Sequence, residues 1–430
     1  MKNSLNILIC LFIFLAAGAA PAGDGTAPRH DDAIARILRE TPTVASAKPS
    51  SRVPMVIGVH IGEYSGRTRF VVEMSEPVQI RTFTLGSPDR VVIDLPQVTW
   101  KMFTPPRPSA GETIRSYRFG QFRPGTSRIV LDLNRPVRLA EPMLLPPEGG
   151  YGYRVVLDLL PVAQTAFNRT AGWPADLKAR ERAAEAAPPP MPAPGPSRTK
   201  LVVVDPGHGG LDSGTANAAG DEEKDIVLAV GLRLQKALEA RGYRVRMTRD
   251  SDVFVSLRRR VNMARAWHAD LFVSIHVDSF HDQNMAGLSV YTLSEKGSDK
   301  AAAALAAKEN QSDVIAGVDL SGENAAVAPI LIDLAQRDTM NKSSRFAEAI
   351  VARMGKVTDV QEKKPHRSAA FAVLKAPDVP AALVELGYLS NAREAAEMKT
   401  SRWRGAVADA IAGAVDRYFA DPAGVGRKSP

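Results

Sequence analysis

Residues 201–210 read LVVVDPGHGG, and this run decides how the C-terminal half of the chain folds. Four consecutive apolar or β-branched residues suit a strand buried on both faces. Asp205 and Pro206 end it, because proline cannot donate to a ladder. Gly207, Gly209 and Gly210 then permit positive φ and close backbone approach, so His208 falls on a tight loop at the strand's C-terminal end. In open α/β sheets that edge is where ligands bind.

Working outward, a helix is expected from about Glu223 to Ala240, with Ile226, Val230, Leu234 and Leu238 on one face. A strand follows at 243–248, Ser256 caps a helix reaching about His268, and LFVSIH at 271–276 reads as a second buried strand. Another strand is expected at 288–293, helical sequence over 298–356, and short strands at 371–374 and 382–385. The last helices begin at Ser390 or Asn391 and end near Phe419. Such alternation predicts an α/β domain over 200–420, with a mostly parallel sheet and helices on both faces, followed by a tail at 421–430.

The opposite end is different in kind. Met1 and Lys2 precede an apolar run from Leu5 to Ala17 and small residues from Gly18 to Ala22. The run is too short to span a bilayer and matches a cleaved secretory signal peptide at 1–22, which implies export to the periplasm. No transmembrane segment is expected elsewhere. Cys10, the only cysteine, lies inside that run, so disulfides are excluded and any metal must be held by histidine and carboxylates. The net charge of +8 favours anionic polymers. Nucleic acid is not an expected partner of an exported chain with few aromatics and no dense basic run.

Residues 23–53 read as a flexible leader, within which 31–39 has the composition of a short helix. From 54 to 161 the pattern becomes short strands with an internal repeat. FVVEMSEPV at 70–78 is echoed by IVLDLNRPV at 129–137, and RVVIDLP at 90–96 by RVVLDLLP at 154–161. Each copy is expected to form one small sheet, the two stacking as a β-sandwich. His60 stands alone and reads as a surface residue. Residues 162–199 read as a linker, helical over 175–187 and then stiffened by Pro188, Pro189, Pro190, Pro192, Pro194 and Pro196, so the domains are expected to move independently.

Three polar residues then fall on one sheet edge: His208, His276 and Glu385, each at a strand end. A carboxylate opening the first helix returns from that edge, although spacing alone does not choose between Glu222 and Glu223. Two histidines and one carboxylate with an open fourth position form the donor set of a hydrolytic zinc site, leaving Glu385 as general base. Zinc in such a site acidifies water and polarises the carbonyl under attack. Asp205 and Asp278 read as supporting groups, while His30, His268, His281 and His366 lack partners at metal spacing.

These motifs carry a resemblance. VDPGHGG at 204–210, EKD at 223–225, LRRRVNMA at 257–264, FVSIHVD at 272–278 and FAVLKAPDVP at 371–380 through LVELGYLSN at 383–391 are similar to the periplasmic zinc-dependent N-acetylmuramoyl-L-alanine amidases of the cell-separation type. Residues 54–161 resemble the AMIN domain, a module that localises periplasmic proteins to the cell wall at the division site. The resemblance implies cleavage of the amide between N-acetylmuramic acid and L-alanine in peptidoglycan. It places the zinc ligands on His208, Glu223 and His276 and the catalytic carboxylate on Glu385, with Lys224 deciding for Glu223. Pro206 and Asp225 stand where many relatives carry Ala and Asn. A catalytically dead wall-binding scaffold and a zinc carboxypeptidase are the competing readings.

The connection between His276 and Glu385 is longer than a βα link requires. Residues 301–311 form helix readily, and Val327, Ile330, Leu331 and Leu334 share one face. The insertion at 298–336 is therefore expected to be an autoinhibitory lid, with Glu309 reaching the open zinc position. Amidases of the resembled type are opened by LytM-domain activator proteins, which makes such an activator the expected partner beside peptidoglycan.

Overall fold

The computed structural model describes residues 53–101, 113–186, 199–318, 332–361 and 364–420. The expected signal peptide, most of the leader, the proline run, the apolar face expected over 327–334 and the tail lie outside the described residues.

The repeat region builds ten strands: β1 (Met55–Tyr64), β2 (Arg67–Met74), β3 (Arg81–Leu85), β4 (Arg90–Pro96), β5 (Thr99–Trp100), β6 (Ile114–Arg123), β7 (Thr126–Leu133), β8 (Val137–Leu139), β9 (Met143–Leu145) and β10 (Tyr153–Pro161). They form a two-sheet sandwich, but not one sheet per copy as the repeat suggested. One sheet runs β5-β1-β2-β10-β8, with β9 also on β10, and the other β3-β4-β7-β6, so each sheet takes strands from both copies. Charge explains the exchange. Arg69 of the first copy lies opposite Asp158 of the second and forks onto it at 2.7 Å through both Nε and Nη2. Arg128 of the second lies opposite Asp94 of the first, at 2.6 and 2.9 Å. Bidentate pairs of this kind are shape-specific as well as strong. Between the sheets Phe70, Val72, Val91, Ile93, Ile129, Leu131, Val155 and Leu157 are buried, each stabilising the fold by about 1.5–3 kcal/mol relative to exposure. His60 sits at the partly exposed edge of this domain, 3.5 Å from Glu73.

The start of the expected linker is folded onto the sandwich as α1 (Gln164–Thr170) and α2 (Ala175–Ala186). Phe167 enters the sandwich core and Leu177 packs with Phe83, Leu85 and Val92.

The second domain follows as β11 (Leu201–Pro206), α3 (Glu223–Glu239), β12 (Arg244–Met247), α4 (Leu257–Ala266), β13 (Leu271–Asp278), β14 (Ser289–Leu293), α5 (Lys300–Glu309), α6 (Ser312–Ile315), α7 (Ile332–Met354), β15 (His366–Ala369), β16 (Ala381–Tyr388), α8 (Ala392–Met398) and α9 (Ser401–Ala420). The sheet order is β12-β11-β13-β16-β14-β15. The first four strands are parallel, and β14 and β15 run the other way. Helices α3, α7 and α9 cover one face, where Val204, Val230, Leu234, Ile275, Phe346, Val384 and Ile411 are buried. Residues of α4 and α5 pack on the other with Val203, Phe272 and Leu383. The strand expected at 371–374 is a 3-10 turn, Ala372–Leu374, and the strand lies earlier, at β15. An apolar run this short has no period that separates strand from turn, and Phe371, Val373 and Leu374 are buried in the turn conformation. Among the described residues no helix is long and apolar enough to cross a membrane.

The domains are not independent, contrary to the expectation from the proline run. Phe122 and Val130 of the sandwich share a buried cluster with Leu211, Phe254, Ala316 and Val318 of the second domain. Phe122 stacks on Phe254 with ring centroids 6.0 Å apart, and Phe254 donates its backbone N–H to Gln121 O at 3.3 Å.

Candidate active site

The loop after β11 turns on left-handed backbone. His208 itself has φ +56°, and Gly209 and Gly210 are also positive; a non-glycine residue there is strained and needs its surroundings to hold it. Two buried arginines supply that hold. Arg260 from α4 donates to His208 O at 2.7 Å, Pro206 O at 2.7 Å and the Asp205 carboxylate at 2.6 Å. Arg249 donates to Pro206 O, Gly207 O and Lys224 O at 3.0, 2.7 and 2.8 Å. Gly207 is required for a different reason: a Cβ there would lie 2.3 Å from the His276 ring.

His208, Glu223 and His276 converge at this edge. His208 Nε2 and His276 Nδ1 each lie 3.1 Å from Glu223 Oε1, and the three residues are 6, 1 and 5% exposed. Glu223 opens α3, while Glu222 is its N-cap and pairs with Lys224 at 3.4 Å, so the helix start turns Glu223 inward. Glu223 also accepts the backbone N–H groups of Val277 and Thr215, both at 2.9 Å. Burial alone would raise its carboxyl, but the charge of His208 and the hydrogen bond from His276 hold it down at about 2. His208 Nδ1 faces Asp212 Oδ2 at 2.9 Å, which orients the ring with Nε2 toward Glu223 and Glu309 and would keep the proton on Nδ1 once a metal displaces the one on Nε2. Burial opposes the charged imidazole of His208, yet Asp212, Glu223 and Glu309 outweigh it and raise its pKa well above the ordinary value.

Glu309, the last residue of α5, completes the group. Its Oε2 lies 3.2 Å from both His208 Nε2 and His276 Nδ1. Glu385 on β16 pairs in register with His276 on β13, and donor atoms of His276, Glu309 and Glu385 fall within 4.8 Å of one another. Burial, followed by the nearby Asp278 charge, pushes the Glu385 carboxyl well above its usual range. His208 Nε2, Glu309 Oε2 and both Glu385 oxygens are buried without a hydrogen-bond partner. For His208 and Glu309 the separation is short enough for an ion pair but the direction is wrong for a hydrogen bond, which is how donor atoms lie when they surround a common cation. His208, Glu223 and His276 could hold a metal ion, and two imidazoles with one carboxylate fit zinc.

The surroundings of this group separate the supporting aspartates anticipated in the sequence. Asp205 anchors Arg260, and Asp278 accepts from Lys308 Nζ at 2.6 Å. Asp212, Arg249, Arg260, Lys308 and Ser312 were not anticipated as site residues. Asp212 had a signal, a carboxylate four residues after His208, whereas the arginines act on main-chain carbonyls whose position only the fold defines. His30 lies outside the described residues. His366 reaches Thr292 at 3.0 Å, and neither it nor His268 or His281 joins a metal-type cluster among the described residues. A void bordered by His208, His276, Glu309, Asn310 and Ser312 measures about 10 Å³, at the lower limit for one water. Beyond α5 a cleft of about 200 Å³ opens between Asp278, Met285, Tyr291, Lys308, Arg367 and Tyr388.

By class, these features describe a hydrolytic enzyme of α/β architecture whose reactive groups sit at the carboxyl ends of parallel strands. Residues 202–417 match the family described as N-acetylmuramoyl-L-alanine amidase, and residues 58–143 match the AMIN domain. The chain is 36% identical over 393 residues to the N-acetylmuramoyl-L-alanine amidase AmiC of Escherichia coli O6:H1, covering 87% of this chain and 92% of that protein. It is 34% identical to AmiC of Neisseria meningitidis serogroup B, covering 88% and 93%. A solved amidase, AmiC2 of Nostoc punctiforme, aligns with a TM-score of 0.37 at 27% identity, covering 51% of this chain and 97% of that one. The chain belongs to the N-acetylmuramoyl-L-alanine amidases, enzymes of peptidoglycan, and carries an N-terminal AMIN domain.

Proposed function

We propose that the chain is a zinc-dependent amidase that splits septal peptidoglycan during daughter-cell separation, and that it is held closed by its own Glu309. The observation that carries this reading is the meeting of His208, Glu223, His276 and Glu309 at 3.1–3.2 Å around one point. Catalytic zinc sites keep three protein donors and one open position. A fourth protein carboxylate fills the place a substrate needs.

His208, Glu223 and His276 would hold the metal. Zinc bound there supplies Lewis acidity toward the scissile carbonyl and toward water. Asp212 keeps the His208 ring in the required tautomer, and Arg249 and Arg260 keep the loop in place. Glu385 moves the protons. In its carboxylate form it takes one proton as water adds to the carbonyl carbon and passes it to the alanine nitrogen as the carbon–nitrogen bond breaks. The second transfer matters because an amide nitrogen leaves poorly unless protonated.

Residues 1–22 would direct export to the periplasm, the AMIN domain would bring the enzyme to the dividing wall, and a LytM-domain activator would draw α5 away. The test compares Glu309→Ala, which opens the site, with the Glu309→Ala/Glu385→Ala double variant for zinc content and for release of stem peptides from purified sacculi. Zinc should be retained and release should fall by roughly 10²–10⁴-fold. Normal release by the folded variant would overturn the role of Glu385. Shortened stem peptides in place of intact ones would point to a carboxypeptidase.

A further inference from the structure

The segment that delivers Glu309 is held from two sides. Toward its own domain, Asn310 brackets the turn through Ala370 O and Ala372 N–H at 2.9 and 2.8 Å. Ser312 donates to Asp212, and Asp313 accepts from Leu257 N–H at 2.9 Å. Toward the AMIN domain the contacts have another character. Arg90 donates to Val314 O, Arg118 to Ile315 O at 2.6 Å, Arg128 to Ala316 O and Gly317 O at 3.1 and 3.2 Å, and Trp173 Nε1 to Gly317 O at 3.1 Å.

Four successive carbonyls at and just beyond the end of α6 are thus each met by a donor from the AMIN side, Val314 O also accepting the Gly317 N–H at 3.1 Å. The donors are prepared for the task. Arg128 is locked onto Asp94 and lies 3.5 Å over the Phe122 ring and 5.0 Å from that of Trp173. Arg118 is oriented by Asp132 at 2.6 Å. Cationic donors at a helix C-terminus also complement its dipole.

We infer that the β3-β4-β7-β6 face of the AMIN domain is the docking surface for Val314–Gly317, and that it keeps Glu309 seated on the metal centre. This rests on the reading of Glu309 as the inhibitory group. It adds that the AMIN domain, beyond any role in targeting, is part of the closed latch, so anything that separates the two domains also loosens α5. The polar contacts are all made to main chain, so the latch depends on the arginines and on Trp173, with Ala316 adding buried apolar contact and Gly317 supplying a φ of +69°.

The test uses the full chain on purified sacculi without activator, for Arg118→Ala, Trp173→Phe, Glu309→Ala and the double variants. Arg118→Ala should raise basal release roughly tenfold, the equivalent of one charge-assisted hydrogen bond lost from the closed state, and Trp173→Phe by less. Neither should add to Glu309→Ala. Amide exchange over 312–318 should quicken in both single variants. Trp173→Phe keeps an aromatic ring against Phe83 and Phe122, so it serves if Arg118→Ala fails to fold. Wild-type release and exchange in the folded variants, with Glu309→Ala activated, would overturn the clamp while leaving the latch. Gains that add to Glu309→Ala would overturn it as well. No activation by Glu309→Ala itself would remove the latch and, with it, anything for the clamp to hold.

Discussion

The His208 loop and the α5–α6 segment face each other across the same centre, and both are fixed largely by side chains gripping backbone carbonyls. They differ in what water can reach. Arg249 and Arg260 are 3 and 1% exposed, so releasing the loop would strand buried charge. Lys308, which ties α5 to Asp278, has 43% of its side chain exposed, and Arg118 has 22%, so solvent can replace these two contacts as they open, while Arg90 and Arg128 stay buried on the AMIN side at 4 and 0%. The same chemical bond therefore acts as a rivet on one wall and as a catch on the other. The proposed metal centre needs the first; the proposed lid needs the second.

The sharpest break in this comparison is Arg260→Ala. It leaves Asp205 buried with its main counter-charge gone, and chemical denaturation should show a loss of about 3–5 kcal/mol. Arg241→Ala, at an exposed pair with Asp409 and Asp416, should lose no more than about 1 kcal/mol. A smaller effect is expected at the catch, where Lys308→Ala should raise basal release from sacculi roughly two- to fivefold with the fold unchanged. The smallest concerns pH. Burial would raise the Asp205 carboxyl, but Arg260 and the hydroxyls of Thr248 and Ser274 hold it below its usual value. A depressed carboxyl contributes stability that is present above the unfolded value of about 3.9 and is lost as pH falls through the folded one. Melting temperatures should therefore drop below that pH, and less steeply in Arg260→Ala.

The rivets and catches were unequally legible in the sequence. His208, His276 and Glu385 were readable because a buried strand announces itself by its apolar run, and its C-terminal end is where a sheet presents reactive groups. Glu309 carries a subtler signal, which its choice from the insertion did not use. Ala302, Leu305 and Ala306 are the buried face of α5, and Glu309 falls next on that same stripe, a charge where the helix period calls for an apolar residue. The repeat disclosed two copies and a sandwich but not the exchange of hairpins, since identical copies pair equally well within or between themselves until Arg69–Asp158 and Arg128–Asp94 are seen in register. The docking of the two domains was hidden for a physical reason: Arg90, Arg118 and Arg128 recognise carbonyls, which every residue has, so no partner motif exists to find.

The most direct measurement is stem-peptide release from purified sacculi by Glu309→Ala beside wild type, without activator, repeated after a zinc chelator and again after zinc is restored. The account predicts strong activation of the variant, abolished by the chelator and recovered with zinc, while wild type stays nearly silent throughout. A folded Glu309→Ala protein no faster than wild type, or one indifferent to the chelator, would contradict it.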